Sequence, residues 1–445
     1  MKRRNILVLA AIILAVSGCS NKPEEAKVSA ENVTSGDVNE KVTIRFENHG
    51  ANKHELFAEA VQIFNESQDN IYVDFQTNTQ DWEASLWAAL AVNDAPDIIT
   101  HIAQGKIPQY VDAGHLLDLA TLNCSRFIDE KAQNAVSYNG GIYGLPIQTE
   151  IYGVFYNKDI FQKAGITEIP KTLDELETVI KKLTPLKSEG IYSFAAQYRD
   201  PGQLGFYMTY GGAGSLYQSV VEQGLENADV TNGKYTFEND RVTNIFRLYD
   251  IVKKNSQPKP EDTDYTTHNT LFASGESAML IMGNWTISQM RELSPDLNVG
   301  MFALPVSDNP DDAVFAEDYN LVINVNAHTE KKEAVDTFLS FFCDYTKPTK
   351  EFFIKNALPT GLKGFDKVVT YDSCLAAPLE AVKTSEYFTR ILPNGFDVGK
   401  SIQEFMLDSD MSPSEGASLL QKNLLTKVKY FSAGFKINSS IYFCV

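Results

Sequence analysis

VTIRFENHGANKHELFAEAVQIFNESQDNIYVDFQ, residues 42–76, sets two alternating apolar runs on either side of a helix-length segment. Val42-Thr43-Ile44-Arg45-Phe46 alternates with period two, the mark of a half-buried strand. Asn52 offers a helix cap, with Glu55 three residues on. Leu56, Phe57, Ala60, Val61, Ile63 and Phe64 then recur at helical spacing, and Ile71-Tyr72-Val73-Asp74-Phe75 alternates as a second strand. A further helix over Trp82 to Val92, ended by Ala95-Pro96, and the short apolar Asp97-Ile98-Ile99-Thr100 continue the pattern. Strands alternating with helices of about 10–15 residues predict an α/β fold with a largely parallel sheet.

Upstream, Met1-Lys2-Arg3-Arg4 is basic, Ile6 to Val16 is an unbroken apolar run, and Ser17-Gly18-Cys19 closes it. A basic start, a short apolar run and small residues before a cut site read as a secretory signal over 1–18. The apolar run is too short to span a bilayer core, which takes about 20 residues. Cys19 directly after Ser17-Gly18 resembles a bacterial lipobox, which implies lipidation of Cys19 and attachment to the extracytoplasmic face of the cell membrane. Residues 19–40 have no aromatic residue, Leu or Ile, and so cannot offset their ordering entropy by burial. They read as a flexible linker, with folded structure beginning near Lys41.

The chain has 445 residues and a formal net charge of −19. Loss of Lys2, Arg3 and Arg4 with the signal leaves 36 basic against 58 acidic residues, near −22. Such a balance argues against nucleic acid as a partner and against electrostatic docking on anionic lipid. The length argues for two domains. Cys124, Cys343, Cys374 and Cys444 show no metal-type spacing; Cys343–Cys374 could pair, or the thiols could stay free. The six His are scattered without H-E-x-x-H, so neither metal nor cofactor is expected.

Several blocks carry a resemblance: FNESQDNIYVDFQ (64–76), ALAVNDAPDIIT (89–100), PQYVDAGHLLDL (108–119) and the long GGIYGLPIQTEIYGVFYNKDIFQKAGITEIPKTLDEL (140–176). LFASGESAMLIMGNWTISQM (271–290), VGMFALP (299–305), AVDTFLSFFCD (334–344) and NALPT (356–360) follow in order. Together they resemble the extracellular solute-binding proteins that serve sugar ABC importers. The resemblance implies a two-lobed periplasmic-binding-protein fold of type II, with the ligand cleft between the lobes. It implies an N-terminal lobe of 41–147 plus 303–347 and a C-terminal lobe of 148–302 plus 348–430. The chain would pass between them at Leu145 to Glu150, Val299 to Pro305 and near Tyr345 to Lys350. Residues 431–445 fit no block and are either a packed terminal strand or a disordered extension. A monomer that hands a carbohydrate, an oligosaccharide by preference, to ABC permease subunits is the function implied.

A sugar offers hydroxyls and flat C–H faces, so its site needs aromatic platforms with planar donors and acceptors. Trp285 stands in the G-N-W turn after a strand, where ligands collect in α/β sheets, and where the family places a stacking Trp. Trp82 is a rim candidate; Trp87 reads as core. Polar candidates follow strand ends: Asn48 and His49, His101 and Gln104, and Gln148 and Glu150 at the hinge. Tyr198, Arg199, Asp200 and Gln203 lie in a loop, and Glu317, Asp318 and Tyr319 precede an expected strand from Asn320 to Val325. The family often carries an acid where His101 stands, which leaves that contact open. The alternatives are another solute, such as a polyamine or phosphorylated compound, or an exported hydrolase. No G-x-S-x-G, P-loop or triad spacing supports an enzyme.

Overall fold

A computed structural model describes residues 41–50, 53–103, 106–206, 235–384 and 398–434. Cys19, the linker, Asn52, Gln104, Cys444 and the tail beyond Gly434 lie outside the described residues. The compact unit opens at Lys41.

The described residues include twelve strands: β1 (Val42–Asn48), β2 (Ile71–Thr77), β3 (Ile98–Thr100), β4 (Ser137–Tyr138), β5 (Gly141–Ile142), β6 (Leu145–Pro146), β7 (Glu150–Asn157), β8 (Tyr192–Ala195), β9 (Ser277–Gly283), β10 (Val299–Phe302), β11 (Ala316–Asp318) and β12 (Val322–Val325). They form two five-stranded sheets and one small hairpin. The first sheet runs β2-β1-β3-β12-β6. β1 lies parallel to β2, pairing Val42 with Ile71, and parallel to β3, pairing Phe46 with Ile98; β12 is antiparallel to both β3 and β6. The second runs β10-β7-β9-β8, with β11 added on β7.

The alternation in β1 buries Ile44 and Phe46. The helix His54–Ser67 lays Phe57, Ala60, Val61 and Phe64 on that face. Phe338 meets Phe64 at 5.0 Å edge-on, and Phe342 stacks on Phe57 at 5.9 Å. In the second sheet β9 is buried at every position, as a central strand must be. Helix starts follow cap chemistry. Asn157 Oδ1 accepts from the Asp159 and Ile160 N–H groups, and Thr172 Oγ1 accepts from Glu175 N–H while Glu175 returns to Lys171 N–H.

Among the described residues two main cores and a smaller third cluster result. The first core holds residues from Ile44 to Ile98, from Leu119 to Ile147 and from Tyr319 to Val369; the second holds residues from Tyr152 to Ala316 and from Cys374 to Leu424; the smaller cluster gathers Leu86, Leu90, Ile99, Tyr110 and Val322. The chain therefore passes between lobes at 147–150, at Asp318-Tyr319 and at 369–374. Two expected passages are displaced. Leu304 and Val306 pack in the second core, Leu304 N–H bonds Val314 C=O, and β11 pairs with β7, so 303–316 belongs to the second lobe. Phe352, Phe353, Leu362 and Phe365 pack in the first core, so 348–369 belongs to the first. An apolar residue at the right period demands burial but does not say in which core. Cys124 and Cys343 sit in the first core and Cys374 in the second; all three are free, so no Cys343–Cys374 bridge forms.

Asp336, on the helix Lys332–Phe342, pins the segment before Phe127. Its carboxylate accepts from Asn123 N at 3.0 Å, Asn123 Nδ2 at 2.8 Å, Cys124 N at 2.9 Å and Ser340 Oγ at 3.2 Å. Burial opposes the charge, but the Asn123 and Cys124 N–H groups outweigh it and hold the pKa below its ordinary 3.8. Asp336→Asn should cost about 1–3 kcal/mol at neutral pH. A lowered carboxylate pKa stabilises above the unfolded value and is lost as pH falls through the folded one. The melting-point gap between wild type and mutant should accordingly shrink below about pH 4. A gap that stays constant from pH 7 to pH 3 would refute this assignment.

Candidate ligand cleft at the hinge

β1 and β3 are parallel and end together, so the residues after Asn48 and Thr100 share one rim of the first sheet. Asn48 is fully buried and spends its amide on the loop. Nδ2 donates to Gly50 C=O at 2.6 Å, and Oδ1 accepts from Gly50 N–H and Thr100 Oγ1. His49 is held at both ring nitrogens, 3.0 Å from Thr100 C=O and 2.9 Å from Glu47 Oε1. The Glu47 carboxylate is held below its usual range by that His49 hydrogen bond. Trp82 stacks on the His49 ring at 4.3 Å, and Lys106 Nζ stands 4.6 Å from the Trp82 centroid. His101 takes a left-handed backbone at φ +69° that non-glycine residues rarely adopt, with Nδ1 2.7 Å from Thr100 Oγ1. Burial, then the neighbouring His49 and Lys106, push His101 down to about 4, so it is a neutral imidazole at working pH.

Further candidates belong to the second sheet. β9 runs antiparallel to β7, pairing Gly283 with Tyr152, so the G-N-W turn lands beside the start of β7 and the hinge. Asn284 is fully buried; Oδ1 accepts from Ile151 N–H and Nδ2 donates to Thr149 C=O, both at 3.1 Å. Trp285 is half-buried and stacks with Tyr152 at 6.3 Å. Its ring lies over Gly283, where a Cβ would stand 1.8 Å from Trp285 Cζ3. Glycine is therefore required for close approach rather than for a turn. Burial raises the Tyr265 pKa, and the charge of Glu150 pushes it the same way.

At the hinge, Gln148 is buried and donates from Nε2 to Glu150 Oε1 at 3.2 Å. Asn356 and Lys53, not singled out from the sequence, also bond here. Asn356 Nδ2 donates to Gln148 Oε1 at 3.3 Å, and Lys53 Nζ donates to Asn356 Oδ1. Burial lowers Lys53 to about 8 despite the opposing pull of Glu150. Asn356 stood in the NALPT block and Tyr152 in the long one, so both were within reach of the resemblance. Lys53 and Tyr265 carried no motif.

Tyr198 is buried, with its hydroxyl 3.5 Å from Ser256 Oγ, while Arg199 and Asp200 are exposed, and Asp200 Oδ1 accepts from Gly202 N–H. Gln203 Oε1 is buried with no partner among the described residues. Glu317 accepts from Tyr319 Oη at 2.6 Å and pairs with Lys131, and Asp318 Oδ1 accepts from Tyr319 N–H. Tyr319 packs in the first core. The Glu317 to Tyr319 triplet is thus a fastening of the second passage between lobes. Among the described residues no group of three or more His, Cys, Asp or Glu could hold a metal, and no helix is long and apolar enough to cross a membrane.

Two α/β lobes joined by three passages, with an aromatic and amide-lined junction between them, define the class of two-domain solute-binding proteins. The chain belongs to the bacterial extracellular solute-binding protein family, whose profile matches residues 45–343. It is 23% identical over 425 residues to the melibiose/raffinose/stachyose-binding protein MelE of Bacillus subtilis, covering 93% of this chain and 94% of that one. It is 26% identical over 352 residues to the maltodextrin-binding protein MdxE of the same organism, covering 76% of each. Among solved structures, RafE in complex with raffinose covers 87% of this chain and 100% of its own at a TM-score of 0.71 and 20% identity. A chitin oligosaccharide binding protein reaches 0.72, also at 20% identity, over 87% of this chain and 99% of its own. At such identities these structural likenesses speak for the fold.

Proposed function

We propose that this protein captures a carbohydrate, an oligosaccharide by preference, between its two lobes and delivers it to ABC permease subunits. The observation that carries this reading is Trp285, a half-buried indole whose ring lies against Gly283 and stacks with Tyr152 beside the hinge. A flat apolar face beside amides, phenols and one carboxylate suits a sugar's C–H face and hydroxyls. A polyamine would call for a cleft dominated by carboxylates, and a phosphorylated solute for Arg. The names of the sugar-binding relatives support the same class. The chain acts as a binder and not an enzyme, works as a monomer, and is held on the outer face of the membrane through a lipid on Cys19. The lobes close on the ligand, because hydrogen bonds from both are complete only together.

A thermal-shift screen over mono- and oligosaccharides tests the reading. A true ligand at about 100 times its dissociation constant should add about 2.7 kcal/mol and be recovered chemically intact. No stabilisation by any sugar would overturn the carbohydrate reading, and cleavage of the sugar would favour the hydrolase.

A further inference from the structure

Lys131 joins the two lobes with a single ammonium. It stands on the short helix Glu130–Ala135, whose Ala132 and Ala135 pack in the first core. Its Nζ donates to the Glu317 carboxylate on β11 and to Val382 C=O on the helix Ala376–Thr384. β11 belongs to the second sheet, and Leu379 of that helix packs on the second core. Tyr319 Oη, from the first core, donates to the other Glu317 oxygen at 2.6 Å. The Glu317 side chain is only 6% exposed and that of Lys131 24%, so losing the ammonium leaves a largely buried carboxylate short of a donor.

The strand order gives this contact a direction. Asp129 N–H donates to Gly361 C=O and Gly361 N–H to Pro146 C=O. A Cβ on Gly361 would stand 2.6 Å from Ala132 Cβ and 2.7 Å from Pro146 Cγ, so the helix of Lys131 lies against β6. β6 is the edge strand of the first sheet, and β12 separates it from β3 and the His101 loop. In the second sheet Tyr152 of β7 pairs with Ala316 of β11 and with Gly283 of β9, so β11 and the strand leading to Trp285 flank β7 on opposite sides. In both sheets the contact thus stands at the far edge from Trp285 and from the His101 loop, with strands of the passages between.

We propose that Lys131 is a latch behind the hinge, holding the lobes against closure and releasing Glu317 or Val382 when they close, so that it sets the affinity for every ligand alike. The inference rests on the closure of the lobes stated above and not on the identity of the sugar. A rotation about the passages that brings Trp285 toward the His101 loop carries the two ends of the latch apart. A bond made in only one of two orientations shifts the balance between them. The apparent dissociation constant then follows the fraction of molecules competent to bind. Lys131 is a positioning residue, since its bonds run to the other lobe rather than to a ligand.

Calorimetric titration of the whole protein with raffinose and maltotriose tests this, with melting curves and small-angle scattering of the unliganded protein alongside. Lys131→Met should tighten binding about 3- to 10-fold, by one common factor where both sugars bind. The unliganded variant should also show a smaller radius of gyration than the unliganded wild type. Glu317→Gln should act in the same direction, because its amide still accepts from Tyr319 but loses the charge that holds Lys131. In the Lys131→Met background it should add nothing further, as two halves of one contact do. A merely structural role would lower the melting point and leave affinity and radius at their wild-type values. Should Lys131→Met fail to fold, Glu317→Gln carries the same comparison. Unchanged or weaker binding by folded variants of a sugar-binding wild type would overturn the latch and leave the carbohydrate reading standing. A wild type that binds neither sugar would count against the carbohydrate reading, and the scattering comparison then decides the latch by itself: an unchanged radius overturns it.

Discussion

Trp285→Ala should weaken sugar binding about 30- to 150-fold while leaving the unliganded protein folded. An indole stacked on a sugar acts mainly by removing apolar area from water, at about 25 cal/mol per Å². With roughly 100 Å² covered, that amounts to about 2–3 kcal/mol, and each 1.4 kcal/mol is tenfold. Trp285→Phe should recover part of it through a smaller flat face. Gly283→Ala offers an independent route to the same loss, because the added Cβ would stand 1.8 Å from the ring and drive it off its place. Titration paired with a melting curve separates this role from core packing. A Trp285→Ala protein with native affinity and a depressed melting point would mean that the indole is structural.

Asn284→Ala should be the costlier change for the fold. Its amide satisfies Ile151 N–H and Thr149 C=O, and both of those residues are buried. Truncation leaves two backbone groups without partners, each worth about 1–3 kcal/mol, so the loss is roughly 2–6 kcal/mol. Asn284→Asp should fall between, since it keeps an acceptor for Ile151 but offers Thr149 no donor. Chemical denaturation would show this as a lower midpoint at unchanged slope. A midpoint equal to the wild type would show that the G-N-W turn holds without its asparagine.

Much of the framework was legible before any coordinates. Period-two alternation placed β1 and β2, and the caps at Asn157 and Thr172 follow from side chains that can accept from the first helical N–H groups. The passages between lobes were not legible, because Leu304, Val306 and Phe352 satisfy the same apolar pattern whichever core receives them. Of the proposed site, Trp285 was singled out by its place after a strand, and Gln148 and Glu150 by theirs just after Gly144-Leu145-Pro146. Glu317 and Tyr319 looked like ligand groups for the same reason, yet they bond each other. Lys53 and Asn356 are about 300 residues apart in sequence and acquire meaning only once folding brings them together. Polar candidates after strand ends are thus ambiguous, since a side chain that can hold a hydroxyl can equally hold a neighbouring loop.

The strand order of the first sheet bears on biogenesis. β12 lies between β3 and β6, yet β3 ends at Thr100 and β12 begins only at Val322. A ribosome releases the amino-terminal half of that lobe long before the strand that completes its centre. During this interval β3 presents an open edge, and the nascent chain is held back from a finished fold by topology rather than by weak packing. Closure of such a distant pairing is intrinsically slow. The interval gives any holdase or translocation apparatus an unfolded client, and the last third of the polypeptide acts as the timer that ends it.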